Sequence, residues 1–79
     1  MELTQEHLQV VFNAWAAAQD GGGIVIEDPG LYPIAHALSE AGWLRRSFVG
    51  DELAWFWTGA AEHALDVTGL LQSAEGRQN

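Results

Sequence analysis

The sequence predicts a small α+β domain with the element order α-β-α-β-β-α. Three observations predict this fold class. Apolar residues near the N-terminus recur with a helical period, a second helical segment stops at Gly42, and the residues that follow alternate around a Gly50-Asp51 pair typical of a β-hairpin. We expect a single domain over residues 1–72 and a flexible tail over residues 73–79.

The first predicted helix begins after Thr4, a residue type that caps helix N-termini well. Its apolar stripe follows the spacing i, i+3, i+4, i+7 and consists of Leu8, Val11, Phe12 and Trp15. The glycines at 21–23 end this helix, and residues 24–26 predict a short strand that pairs with the later hairpin. The glycine run lacks the Lys-Ser/Thr of a phosphate-binding loop, so a turn is the better interpretation.

The second predicted helix starts between Leu31 and Pro33 and stops at Gly42, where Trp43 can fold back in a Schellman motif. Counting outward from a type II′ turn at Gly50-Asp51 places Phe48 opposite Leu53. One face of this ribbon is expected to face the core and carries Leu44, Arg46, Phe48, Leu53, Trp55 and Trp57. Phe56 lies on the less apolar face.

The last predicted helix is capped by Thr58. Its expected inner face consists of Ala61, Ala64, Leu65 and Thr68. The residues expected to be mostly buried are Trp15, Leu38, Trp55 and Leu65. Arg46 lies opposite Trp55 and is expected to stack on its ring.

The charge balance is strongly acidic, with eleven carboxylates, three arginines, no lysine and a net charge of -8. Affinity for nucleic acid comes largely from neutralising phosphates, so a chain of this charge repels a polyanion. Direct nucleic-acid binding is therefore not expected, whereas a protein partner with a basic surface is. Acidity also serves solubility alone, and the composition leaves both interpretations open.

The remaining composition favours a cytoplasmic protein without a membrane segment. The chain has no cysteine, hence no disulfide and no thiolate metal site. Its N-terminus is acidic and polar, unlike a signal peptide, and no apolar run approaches the roughly 18 residues of a membrane span.

Catalytic and metal-binding patterns are missing from the sequence. His7, His36 and His63 fall on three different predicted helices, at spacings that form no standard metal motif. The serines lie in no nucleophile motif. We therefore expect no enzyme activity, no metal and no cofactor.

Residues 36–66 resemble the recognition-helix end, wing and following helix of MarR-type winged-helix regulators. Gly42-Trp43-Leu44 matches the Gly-hydrophobic-hydrophobic step of that family, Arg45-Arg46 its paired basic residues, and Trp57-Thr58 its Leu-Thr-like step. The resemblance implies a small winged-helix-like domain.

Two departures from that family concern DNA binding. The expected solvent side of the second helix carries no arginine or lysine and consists of Tyr32, His36, Ser39 and Glu40. The wing tip, residues 50–52, is acidic and would repel phosphate. Residues 21–30 are also too few, and too rich in glycine and proline, for the additional helix that the family places before its recognition helix.

These features favour a small acidic protein-protein interaction module. Its size and acidity resemble phage and mobile-element proteins that block host machinery, anti-CRISPR proteins among them, by acting on a basic host surface or mimicking nucleic acid. The predicted partner-binding residues are Tyr32, His36, Glu40, Asp51, Glu52 and Phe56. The alternative is a winged-helix transcription regulator or accessory subunit that acts on DNA as a dimer or with a partner. A homodimer is compatible with the sequence.

Overall fold

The structure, a computed structural model, describes residues 3–70, so the tail predicted at 73–79 lies outside the described residues. The elements are α1 (Gln5–Ala18), a 3-10 turn (Pro29–Leu31), α2 (Tyr32–Glu40), β1 (Leu44–Val49), β2 (Glu52–Trp57) and α3 (Gly59–Ala64). Residues 67–70 form one further helical turn. The predicted α+β class is confirmed.

The start of α1 is fixed by Thr4, as predicted. Its hydroxyl oxygen accepts a hydrogen bond from the backbone N–H of His7, and His7 Nδ1 accepts one from the backbone N–H of Thr4 at 3.4 Å. This reciprocal arrangement is a capping box in which histidine replaces the usual Glu or Gln. His7 therefore has a structural role at the helix end.

The end of α2 is the predicted Schellman motif. Gly42 has a left-handed backbone with φ of 85°, and the N–H of Trp43 donates to the carbonyl of Leu38 at 2.9 Å. A glycine is favoured at this position because it adopts positive φ without a steric penalty.

β1 and β2 pair antiparallel in the predicted register, with Phe48 opposite Leu53. Gly50 has φ of 64° and Asp51 does not have positive φ, which excludes a type I′ turn and agrees with type II′. The strand predicted at 24–26 is reduced to a single bridge, in which Ile24 and Trp55 exchange backbone hydrogen bonds of 2.8 and 2.9 Å. β2 thus lies between β1 and Ile24.

The core lies between α1, α2 and the base of the ribbon. Its buried hydrophobic residues are Val10, Val11, Ala14, Ile26, Ala35, Leu38, Leu44, Ala54, Trp55, Ala61 and Val67. The predicted burial of Leu38 and Trp55 is confirmed. Trp15 and Leu65 are partly buried and pack against this core, and on α1 Val10 and Ala14 are buried more deeply than Trp15.

The ribbon extends beyond the core, so the predicted core-facing side is wrong at Arg46 and Phe48, which are both exposed. Leu44 at the base of β1 is 3% exposed, whereas Phe48, on the same face, is 71% exposed. A six-residue strand spans about 20 Å at roughly 3.3 Å per residue. The helices cover the base of that length and leave its tip in solvent.

The predicted inner face of the last helix is also wrong at Ala64 and Thr68, because the helix is interrupted after Ala64. Leu65 has extended backbone angles, φ -123° and ψ 126°, and the Asp66 carboxylate then accepts a hydrogen bond from the N–H of Gly69 at 3.1 Å. This break rotates the following turn, so that Val67 is buried while Ala64 and Thr68 are exposed.

Thr58 joins α3 to the end of α2. Its hydroxyl oxygen accepts a hydrogen bond from the N–H of Ala61 at 3.1 Å, and the hydroxyl donates to the carbonyl of Gly42 at 2.7 Å.

We expect Thr58→Ala to lower the free energy of unfolding by about 1 kcal/mol, since an N-cap and a second bond are lost together. Thr58→Ser retains both bonds and should recover most of this loss in urea denaturation. An equal loss in both variants would assign the effect to the threonine methyl group.

Candidate protein-interaction surface

The outer face of α2 carries three of the predicted partner-binding residues in one row. Tyr32, His36 and Glu40 follow each other at intervals of four residues, which places them on the same side of a helix. All three are exposed, and Tyr32 is 46% exposed. His36 Nε2 lies 3.2 Å from Glu40 Oε1. We call these three residues the α2 stripe.

The α2 stripe faces solvent because the opposite side of α2 is anchored in the core. Ala35 and Leu38 are fully buried. The approach to α2 is also acidic: Glu27 and Asp28 are exposed, and the Asp28 carboxylate accepts a hydrogen bond from the N–H of Gly30 at 2.9 Å. Tyr32 is therefore an exposed aromatic residue with carboxylates before and after it along the chain.

The tip of the ribbon carries two further predicted residues. Asp51 and Glu52 are both exposed, and we call them the acidic tip. Phe48 and Val49 precede the turn and are 71% and 60% exposed. Phe48 was predicted on the core-facing side of the ribbon and Val49 on the other side, and neither was among the predicted partner-binding residues. Both residues adjoin the turn, at the end of the ribbon farthest from the core, and that position indicates exposure to solvent.

Phe56 is the predicted residue that is most integrated into the fold. It is half-buried, and its ring closes on Gly23 so tightly that a Cβ atom there would lie 2.9 Å from two ring carbons. The guanidinium of Arg45 lies 5.1 Å from the ring centroid. A role of Phe56 as a partner anchor stays a prediction.

The six predicted residues thus form two groups and one separate residue. Among residues 3–70, no hydrogen bond or ion pair joins the α2 stripe to the acidic tip. Each group is positioned by its own local signals, the helical period for the α2 stripe and the Gly50 turn for the acidic tip.

The positive charge of the described chain is confined to β1. The predicted stacking of Arg46 on Trp55 is confirmed, with the guanidinium 5.9 Å from the ring centroid. Within residues 3–70, neither Arg45 nor Arg46 forms a salt bridge with a carboxylate. Within that range, therefore, neither the α2 stripe nor the acidic tip has its negative charge compensated by arginine.

The histidines do not converge in the part of the chain that is described. No group of three or more His, Asp or Glu side chains suited to a metal ion occurs there. His63 and Asp66 border an open concavity of about 430 Å³ together with Trp15 and Gln19. Asp66 already caps the turn that follows it.

In residues 3–70, none of the helices combines the length and apolar character that crossing a bilayer requires.

No protein-family model, curated protein or solved structure matches this chain. What the chain does is accordingly inferred from the charge, exposure and geometry of the α2 stripe and the acidic tip.

Proposed function

We propose that this chain is a small acidic protein-binding module of the cytoplasm, without catalytic activity, that docks on a basic surface of another protein. The observation that carries this proposal is the exposed Tyr32 on α2, framed by carboxylates. Exposed aromatic residues with a polar rim are the usual anchors of protein interfaces.

The charge distribution favours a basic partner over nucleic acid. The net charge is -8, and neither the α2 stripe nor the acidic tip contains lysine or arginine. Such a surface attracts a basic protein and speeds its approach, whereas it repels phosphate.

The finer fold proposed for this module is a trimmed winged helix. The Schellman end of α2, the ribbon and the Thr58 bridge back to Gly42 support a helix-wing-helix arrangement. In that arrangement α2 corresponds to the recognition helix. The α2 stripe then occupies the surface on which a DNA-binding winged helix carries basic residues. A module of this kind suits an inhibitor that occupies a nucleic-acid-binding surface, as small phage and mobile-element proteins do.

The test begins with a cell extract passed over the immobilised protein. The partner sought is retained by the wild type, lost with Tyr32→Ala, and identified by mass spectrometry. Association and dissociation rates are then measured with that purified partner at two salt concentrations.

The acidic tip and Tyr32 are expected to affect different rate constants. Asp51→Lys combined with Glu52→Lys should slow association and flatten its salt dependence, because steering charges act on the encounter. Tyr32→Ala should mainly speed dissociation. Glu6→Lys combined with Asp20→Lys makes the same change in net charge on and beside α1, and should leave association much closer to the wild type. Equal slowing by both double variants would refute a localised acidic contact.

DNA binding is the second candidate, favoured by the exposed Arg45 and Arg46 at the base of the ribbon. A gel-shift assay with random duplex DNA at low salt decides between protein binding and DNA binding, because affinity for phosphate is strongest at low salt. We expect no shift for the wild type. A shift that disappears when both arginines are replaced by alanine would favour a regulator or accessory subunit instead.

A further inference from the structure

β1 has an open edge whose hydrogen-bonding groups can be assigned from the hairpin register. Trp55 uses its backbone N–H and carbonyl for Ile24, on the side of β2 away from β1. In an antiparallel pair the bonded positions alternate, so Arg46, which lies opposite Trp55, directs its own backbone groups away from β2. Phe48, two residues on, does the same.

These outward groups have no partner within the described chain. Among residues 3–70, no inter-element hydrogen bond reaches the backbone of Arg46 or Phe48. An exposed strand edge is a template for another strand, and proteins commonly protect it with charge. The arginines of β1 fit such protection, but Phe48 and Val49, the two most exposed large hydrophobic residues described, do not.

We propose that a second copy of this chain pairs with the β1 edge, antiparallel and with the twofold axis at Ser47. β1 has cations near its start, at Arg45 and Arg46, and the carboxylates of Asp51 and Glu52 follow its end. An antiparallel copy brings the basic start of one strand towards the acidic end of the other. A parallel copy would align like charges.

The position of the axis follows from the side chains. An axis at residue 45 or 46 sets arginine directly against arginine, which destabilises a strand pair. An axis at Phe48 shortens the overlap of the two strands. An axis at Ser47 places Arg46 opposite Phe48 of the second copy, a cation–π pair formed twice, and Arg45 opposite Val49 of the second copy. Asp51 of the second copy is then the diagonal neighbour of Arg45.

Pairing of two copies can be tested on the purified protein alone, without the partner proposed above. Because the chain has no cysteine, single cysteines report the register directly. At Ser47 the two copies meet at a non-hydrogen-bonded pair with Cα atoms about 4.5 Å apart, which a disulfide spans. Ser47→Cys should therefore form a disulfide-linked dimer under mild oxidation. Val49→Cys is the matched control, because in the proposed register the cysteines at position 49 of the two chains would lie about 13 Å apart along the strands. Equal cross-linking of both variants would overturn the proposed register.

The unmodified protein gives a second test by analytical ultracentrifugation and amide hydrogen exchange. We expect a monomer–dimer equilibrium, with the Arg46 and Phe48 amides gaining protection as the protein concentration rises. Phe48→Ser should weaken the dimer by at least about tenfold, the factor that corresponds to 1.4 kcal/mol. Val25→Ser, at an exposed apolar site outside the ribbon, should not. A wild-type monomer at up to about 1 mM, the Kd of a very weak complex, would overturn the proposal. Protection of these amides only after an acidic peptide is added would assign the edge to a different partner.

Discussion

Trp55→Ala is expected to lower the free energy of unfolding by roughly 3–5 kcal/mol. Trp55 is 3% exposed, and its backbone N–H and carbonyl are hydrogen-bonded to Ile24, on the side of β2 away from β1. Small domains have total stabilities of about 5–15 kcal/mol, so the variant should be largely unfolded on warming. Urea denaturation followed by circular dichroism measures the loss.

Phe48→Ala is the matched control for this prediction, because both aromatic residues lie on the same face of the same ribbon. Phe48 is 71% exposed, and its truncation should change the free energy of unfolding by no more than about 0.5 kcal/mol in dilute protein. Similar losses in the two variants would contradict the arrangement in which the ribbon is buried at its base and exposed at its tip.

The parts of the fold that the sequence predicted correctly depend on short-range signals. The Thr4 cap, the Gly42-Trp43 stop, the Gly50 turn and the Thr58 cap are each made by residues within a few positions of one another. Their hydrogen bonds form in nearly any tertiary context, so residue type and spacing were sufficient. The register of the ribbon then followed from the turn.

The errors arose where burial depends on the size of a distant element. Alternation predicts which side of β1 carries Phe48, but only the lengths of α1 and α2 decide how far along the ribbon that side is covered. In the same way, the extended backbone of Leu65 interrupts the helical spacing of Ala61, Ala64, Leu65 and Thr68, from which one helix face was predicted.

The candidate surface was predictable where it depends on a short-range signal and not where it depends on a distant contact. A helical period with Ala35 and Leu38 inside places Tyr32, His36 and Glu40 outside, and the structure agrees. The packing of Phe56 was not predictable, because it depends on contact with a residue more than thirty positions earlier in the chain.

That earlier residue, Gly23, shows why the glycine run at 21–23 is more than a flexible turn. Gly21 has φ of 76°, a backbone conformation that glycine tolerates best. Gly23 is needed for space: a Cβ atom there would lie 2.9 Å from the Phe56 ring and 2.9 Å from the carbonyl oxygen of Trp55. That carbonyl is the acceptor for the N–H of Ile24.

Gly23→Ala is therefore expected to lower the free energy of unfolding by roughly 1–3 kcal/mol, the usual range for overpacking. Gly22→Ala is the adjacent control, since its Cβ would meet the Ala17 carbonyl oxygen at an ordinary 3.6 Å, and it should change stability by no more than about 0.5 kcal/mol. Adding Phe56→Ala to Gly23→Ala removes the clash with the ring but not the clash with the Trp55 carbonyl. Exchange of the Ile24 amide should consequently remain faster than in the wild type, even in that double variant. If Gly23→Ala and Gly22→Ala were equally stable, the close contact of Phe56 and Trp55 with Gly23 would be refuted.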